Sequence, residues 1–273
     1  YYSVKENKSH TVIYVMDADG KNNKTLTTST KSESDAVWTA NGQKIAFLCD
    51  GQIWEMNADG SGRRQLTKDK TGIDGFIFSP DEKHVLLVKQ IPFHEIIKQN
   101  PADLPKATGR LITDMNYRHW DEYVETIPHP FLADVTASGI GEGKDIMQGE
   151  PYESPVKPFG GIEQLAWSPD SKTIAYTSRK KTGVKYATST DTDIYIYDIA
   201  TGKTTNICKP AGYIEPETDL TKSMKHQAVN AEDNLKHNHG YDTNPQFSPD
   251  GKYSACQSMA RDGYESTRIR TCA

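Results

Sequence analysis

Phe78-Ser79-Pro80-Asp81, Trp167-Ser168-Pro169-Asp170 and Phe247-Ser248-Pro249-Asp250 are three copies of one stretch, and Trp38-Thr39-Ala40-Asn41 is a fainter fourth. Each copy runs into an apolar segment: Lys44-Ile45-Ala46-Phe47-Leu48, His84-Val85-Leu86-Leu87-Val88, Lys172-Thr173-Ile174-Ala175-Tyr176 and Lys252-Tyr253-Ser254-Ala255-Cys256. The pattern reads as strand, tight turn, strand. Pro presets φ at the first central turn position, and the acid or amide with the small residue after it closes the turn. An aromatic before the turn and a β-branched run after it suit a pleated sheet.

A second unit alternates with the first. Gln52-Ile53-Trp54-Glu55-Met56, then Asn57-Ala58-Asp59-Gly60, then Arg64-Gln65-Leu66-Thr67 is an alternating strand, an Asp-Gly hairpin and a short strand. The unit also occurs around Thr11–Thr27 and Asp193–Ile207. Joining the two units gives a four-stranded antiparallel block. Asn41 and Asp81 stand 40 positions apart, within the period of about 40–50 residues of propeller blades. One blade cannot cover both faces of its own sheet and must stack on neighbours. The expected fold is therefore all-β, a β-propeller of four-stranded antiparallel blades. Residues 35–67, 74–150 and 162–208 make blades, with half blades at 1–28 and 244–273. Two readings follow: a segment of a larger propeller, or two half blades that close a four-bladed ring. The strand pattern cut short at Arg270-Thr271-Cys272-Ala273 favours the segment.

Two insertions break the rhythm, at about 93–130 and 210–242. In the first, His94-Glu95-Ile96-Ile97-Lys98 reads as weakly helical, and Asn116 to Val124 is the densest aromatic and charged cluster. The second is polar, with a short helix expected from Asp219 to about Val229, and carries His226, His237 and His239.

Composition excludes several classes. The 273 residues carry a net charge of -5, 35% hydrophobic residues and a mean hydropathy of -0.71. These values suit many half-buried strands. With no basic block, nucleic acid and anionic membrane surfaces are poor partners. No apolar run approaches the roughly 18 residues of a membrane span. The start at Tyr1-Tyr2, without Met, reads as a processed or trimmed chain. Cys49, Cys208, Cys256 and Cys272 contain no C-x-x-C pair. They read as inert thiols, one disulfide being the other reading. His237, His239 and Asp233 in a polar loop are a weak metal pattern, and no metal or other cofactor is expected. There is no G-x-S-x-G elbow and no strand–helix alternation for a hydrolase sheet. In Arg118-His119-Trp120-Asp121-Glu122-Tyr123, Arg118 and Trp120 have a structural reading, in an ion pair and in packing between blades. The same cluster has a binding reading in which Glu122 or Glu125 holds the free amino group of a peptide by a charge-assisted bond, with Arg118, Trp120 and Tyr123 around it.

The Ser-Pro-Asp blades, Asn116–Tyr123, Gly160–Asp170 and Met259-Ala260-Arg261-Asp262-Gly263-Tyr264-Glu265 together resemble the prolyl oligopeptidase family, nearest its bacterial dipeptidyl and acylaminoacyl peptidases. The Ser-Pro-Asp turns are shared with TolB-type propellers. The resemblance implies a propeller that caps an α/β-hydrolase domain holding Ser, Asp and His, and that limits substrates to short peptides. It also implies acidic propeller side chains for the substrate's amino terminus, for which Glu122 and Glu125 are the candidates. No catalytic residue carries over to this chain, which is expected to be inactive alone. The expected partners are short peptides, the hydrolase domain and further copies of the chain, in the periplasm or outside the cell. The competing reading is a stand-alone TolB-like propeller that binds a protein partner.

Overall fold

The computed structural model describes residues 2–5, 7–93, 97–98, 106, 111–112, 118–119, 122–213, 240–259, 262 and 270–272. Their regular structure is nearly all strand, and the strands pair antiparallel. The first blade is Glu33–Thr39, Lys44–Cys49, Gln52–Asn57 and Arg64–Gln65, in chain order. The second is Gly75–Phe78, His84–Pro92, Thr126–Thr136 and Gly139–Ile140, with Lys144–Asp145 also pairing Thr126–Thr136. The third is Leu165–Trp167, Thr173–Ser178, Asp193–Asp198 and Thr204–Asn206. Asp242–Phe247, Ser254–Ser258 and Arg270–Cys272 form a three-stranded sheet, and Tyr14–Val15 with Lys24–Thr25 a two-stranded one. The architecture is that of β-propeller blades.

The chain divides into two compact units, residues 1–90 with 130–145 and residues 91–129 with 146–273. In the first unit, period-2 alternation places successive side chains on opposite sheet faces. Ile45, Phe47 and Cys49 pack with Ile13 and Met56 on one side. Ala46 and Leu48 pack with Phe76, Val85, Leu87 and Ala133 on the other. Both faces of the strand Lys44–Cys49 are thus buried. Each fully buried Leu, Ile or Phe contributes about 1.5–3 kcal/mol over leaving it exposed. The exposed residues fall mostly on the outer strands, Glu33–Thr39 and Arg64–Gln65, and in the turns, so a low hydrophobic fraction still closes this core.

In the second unit, Tyr176 and Tyr195 stand opposite each other in the third blade and their rings stack at 5.4 Å. Gln164 ties this blade to the last sheet: its amide donates to Thr243 Oγ1 at 3.0 Å and its oxygen accepts from Val156 N–H at 2.7 Å. The last sheet carries a bulge between Thr243 and Gln246. Pro245 has no N–H to give the ladder, and Asn244 takes the left-handed conformation (φ 53°), so pairing breaks there.

The repeated turns share one bonding scheme. In each, the Ser hydroxyl donates to the Asp carboxylate, at 2.7, 2.7 and 2.6 Å for Ser79, Ser168 and Ser248. It also accepts the N–H that starts the next strand, from His84, Thr173 and Tyr253. The residue after the Asp has positive φ: Glu82 at 56°, Ser171 at 61° and Gly251 at 71°. The Ser bond, then the Lys172 and Lys252 N–H bonds, hold the Asp170 and Asp250 carboxyls below the usual range. The faint copy lacks both Ser and Asp. There the Ala40 N–H donates instead to both carboxylate oxygens of Glu82, at 3.0 and 2.9 Å.

The helix expected from His94 is corrected. Ile97–Lys98 is a strand paired with Leu111–Ile112. Five residues are too few to nucleate a helix without tertiary support, whereas pairing gives the backbone groups partners at once. His94 to Ile96 lie outside the described residues, as does the segment from Asp219 to Val229.

Candidate functional site

The first insertion leaves the second blade between its two longest strands, His84–Pro92 and Thr126–Thr136. These have 9 and 11 residues, against 6 in each middle strand of the other two blades. Arg118–His119 pairs with Glu122–Tyr123, Arg118 opposite Tyr123 and His119 opposite Glu122. The densest cluster of the sequence is therefore a tight hairpin. Trp120 and Asp121, between its strands, lie outside the described residues. Tyr123 is exposed and Val124, next in the chain, is buried. Glu125 is exposed at the base of the insertion. Its carbonyl accepts from Phe93 N–H at 3.0 Å and its N–H donates to the Tyr123 carbonyl at 3.0 Å. Of the sequence candidates, Arg118, Glu122, Tyr123 and Glu125 thus fall within one short hairpin and its base.

The second unit also holds a buried charged network. Arg179, Lys180 and Lys181 directly follow the strand Thr173–Ser178. Glu153 accepts from the Tyr186 hydroxyl at 2.6 Å and pairs with Arg179 at 3.5 Å, whose guanidinium lies 4.1 Å from the Tyr186 ring centre. Lys180 donates to Glu150 at 2.8 Å and lies 4.3 Å from the Tyr195 ring centre. Asp191 joins two ammonium groups, Lys181 at 2.9 Å and Lys209 at 2.7 Å. Lys209 also reaches Asp193 at 3.0 Å, and Asn206 donates to the same oxygen at 2.8 Å. Burial, then the Asp191 charge, raise the Asp193 carboxyl. Burial opposes the charge on Lys209, but Asp191 and Asp193 outweigh it and raise its pKa. Burial, then Glu153, push the Tyr186 hydroxyl up.

Asp262 ties down the loop before the strand Asp193–Asp198. Its Oδ1 accepts from the Ser189 hydroxyl at 2.8 Å, Thr190 N–H at 2.7 Å and Asp191 N–H at 3.1 Å. It is the acid of the Arg261-Asp262-Gly263 segment, and Asp262 itself has a positioning role here. Asp193, Cys208 and Asp242 bring one ligand atom each within 4.8 Å of one another. Lys209 already neutralises Asp193, and burial, then Asp242, push the Cys208 thiol up. The trio is chemically a hydrogen-bonding group around a protonated thiol. His226, His237, His239 and Asp233 lie outside the described residues.

Sequence reading missed the network. Its one signal is the run Arg179-Lys180-Lys181 at a strand end, facing the acids Asp191 and Asp193 after a short helix, Gly183–Thr188. Among the described residues, no helix is long and apolar enough to cross a membrane.

No protein-family profile matches the chain. It is 49% identical over 267 residues to a dipeptidyl-peptidase 5 of Porphyromonas gingivalis, an alignment covering 96% of this chain and 35% of that protein. It is 40% identical over 272 residues to a dipeptidyl-peptidase 5 of Porphyromonas endodontalis, covering 98% and 36%. The chain thus spans about a third of the length of these relatives. Its fold is similar to that of an acylaminoacyl peptidase of Pyrococcus horikoshii, with a TM-score of 0.58 and 12% identity over 99% of this chain and 34% of that one. These findings fit the N-terminal propeller part of the prolyl oligopeptidase family.

Proposed function

We propose that this chain is the substrate-gating propeller of a serine dipeptidyl peptidase. In this reading it restricts access to short peptides, while an α/β-hydrolase domain elsewhere in the protein supplies the chemistry of proteolysis. Glu122 and Glu125 hold the peptide's free amino terminus, Arg118 braces the hairpin, and Trp120 and Tyr123 flank the peptide. The protein acts in the periplasm or outside the cell. The observation that carries this reading is the 49% identity to a dipeptidyl-peptidase 5 along 96% of the chain. The exposure of Glu125 at a bonded hairpin base supports the clamp.

The test uses the whole protein. Glu122→Gln and Glu125→Gln keep size and remove the charge that meets the ammonium. A hydrogen bond to a charged group contributes about 1.5–3 kcal/mol. The specificity constant on free-amino dipeptidyl substrates is therefore expected to fall by about 10- to 100-fold. N-blocked substrates, which carry no ammonium, should be unaffected. Equal losses on both substrate classes would remove these carboxylates from the binding site. A whole protein with no dipeptidyl turnover would overturn the proposed activity itself.

A further inference from the structure

We propose that Cys256 and Cys272 form a cross-strand disulfide that fastens the last strand, Arg270–Cys272, to the strand Ser254–Ser258. In the register of this antiparallel pair, Cys256 stands directly opposite Cys272. Directly opposed Cα atoms in antiparallel strands are about 4.5 or 5.5 Å apart, depending on the type of pair. Both distances fall within the 4.4–6.8 Å Cα separation of disulfides. The pair therefore meets the backbone requirement whichever type it is. Directly opposed positions also share one face of the sheet, with Cβ atoms about 4.5–5.5 Å apart, so only a small approach is needed to reach bridging distance.

The other two cysteines have no such opposite number. Cys49 stands across from Glu33 and Gln52. Cys208 accepts a hydrogen bond from the Ile194 N–H at 3.3 Å and lies beside Asp242. Four cysteines permit several pairings, and the sheet register selects one of them. Cys256 is part-buried, within reach of a reagent from solvent.

The chemistry is thiol–disulfide exchange with a disulfide oxidant, either a protein of the thiol–disulfide oxidoreductase class or oxidised glutathione. One thiolate attacks a sulfur of the oxidant's disulfide and displaces one of its sulfurs as thiolate. The second cysteine thiolate then attacks the mixed disulfide, forming the Cys256–Cys272 bond and releasing the other. Two electrons pass to the oxidant, and two protons leave the cysteines. The closed loop runs from 256 to 272, and a loop of about 15 residues is long enough for a substantial constraint on the unfolded chain.

The experiment equilibrates the whole protein with oxidised glutathione, alkylates it under denaturing conditions without reductant, and maps it after trypsin. The expected product is residues 253–261 joined to the peptide that begins after Arg270. Cys49 and Cys208 should be alkylated. Reduction should add 2 Da to the intact mass and lower Tm by about 5–10 °C. Cys256→Ser and Cys272→Ser should each abolish the link and remove the response of Tm to reductant. Four alkylated cysteines, a link to Cys49 or Cys208, or a dimer joined through Cys272 would each overturn the proposal. Peptide mapping reads the link directly, so the result holds even if a serine variant folds poorly.

Discussion

Asp191→Asn is the sharpest probe of how the second unit is held. The Asp191 side chain is 2% exposed and meets Lys181 and Lys209, whose side chains are 6% and 9% exposed. Asparagine keeps the shape but removes the charge between two buried ammonium groups. Removing one partner from a buried ion pair costs about 3–5 kcal/mol, because the remaining charge is left in a poor medium. Lys209 keeps Asp193 at 3.0 Å, which moves the expected loss to the low end, about 3 kcal/mol. Urea unfolding followed through Trp167, buried in the same blade, should show the loss as a lower midpoint with an unchanged slope. Lys209→Met should be less harmful in the Asp191→Asn background than in the wild type, by about 0.5–3 kcal/mol of coupling. A loss below about 1 kcal/mol for Asp191→Asn would refute the reasoning. So would strict additivity with Lys209→Met.

Lys209 also sets a pH dependence. Its folded pKa is raised above 10.5 by Asp191 and Asp193 against the effect of burial, so its contribution is complete below the unfolded value and lost as pH rises through the folded one. The wild-type urea midpoint should fall more steeply than that of Lys209→Met above pH 10.5. Ser171→Gly relieves a left-handed residue (φ 61°) in the second Ser-Pro-Asp turn and should raise stability by about 0.5 kcal/mol in thermal unfolding. Phe47→Ala empties a fully buried ring site that packs with Ile13 and Met56 and should cost about 3–5 kcal/mol by urea titration.

The fold was legible because its signals are local. Pro80, Asp81 and the apolar run after them specify a turn and a strand without reference to anything distant. The structure adds what the sequence could not weigh. The Ser hydroxyl, not the Asp, accepts the strand's first N–H, and Glu82 caps the faint turn at Ala40 from 42 positions away. The buried network was hidden for a different reason. Lys181, Asp191 and Lys209 look like solvated surface in a chain with 25% charged residues. Only sheet pairing and the loop anchored by Asp262 bring them together. The misread helix at Ile97–Lys98 shows the limit of short patterns. Two residues take the conformation that gives their backbone a partner, here Ile112 and Leu111.

The same hydrogen-bond accounting explains where the proposed binding arm stands. A long insertion must satisfy its own N–H and C=O groups, because the blade has already used its own in the ladder. Among the described residues it does so with two small pairings, residues 97–98 with 111–112 and 118–119 with 122–123. Isolated two-stranded hairpins are marginal in water, so the insertion needs a firm root. The long strands His84–Pro92 and Thr126–Thr136 provide one, exceeding the 6-residue strands of the other blades by 3 and 5 residues. At about 3.3 Å per residue, that is roughly 10–17 Å of extra strand. Glu125 sits at this root, fixed through both of its backbone groups to Tyr123 and Phe93. Glu122 is one pairing further out, opposite His119. If both carboxylates serve the peptide's amino terminus, the one at the root is better placed beforehand and loses less entropy on binding. Glu125→Gln should therefore lower the specificity constant on free-amino substrates more than Glu122→Gln does. The reverse order would mean that the hairpin tip, not its root, sets the position of the substrate.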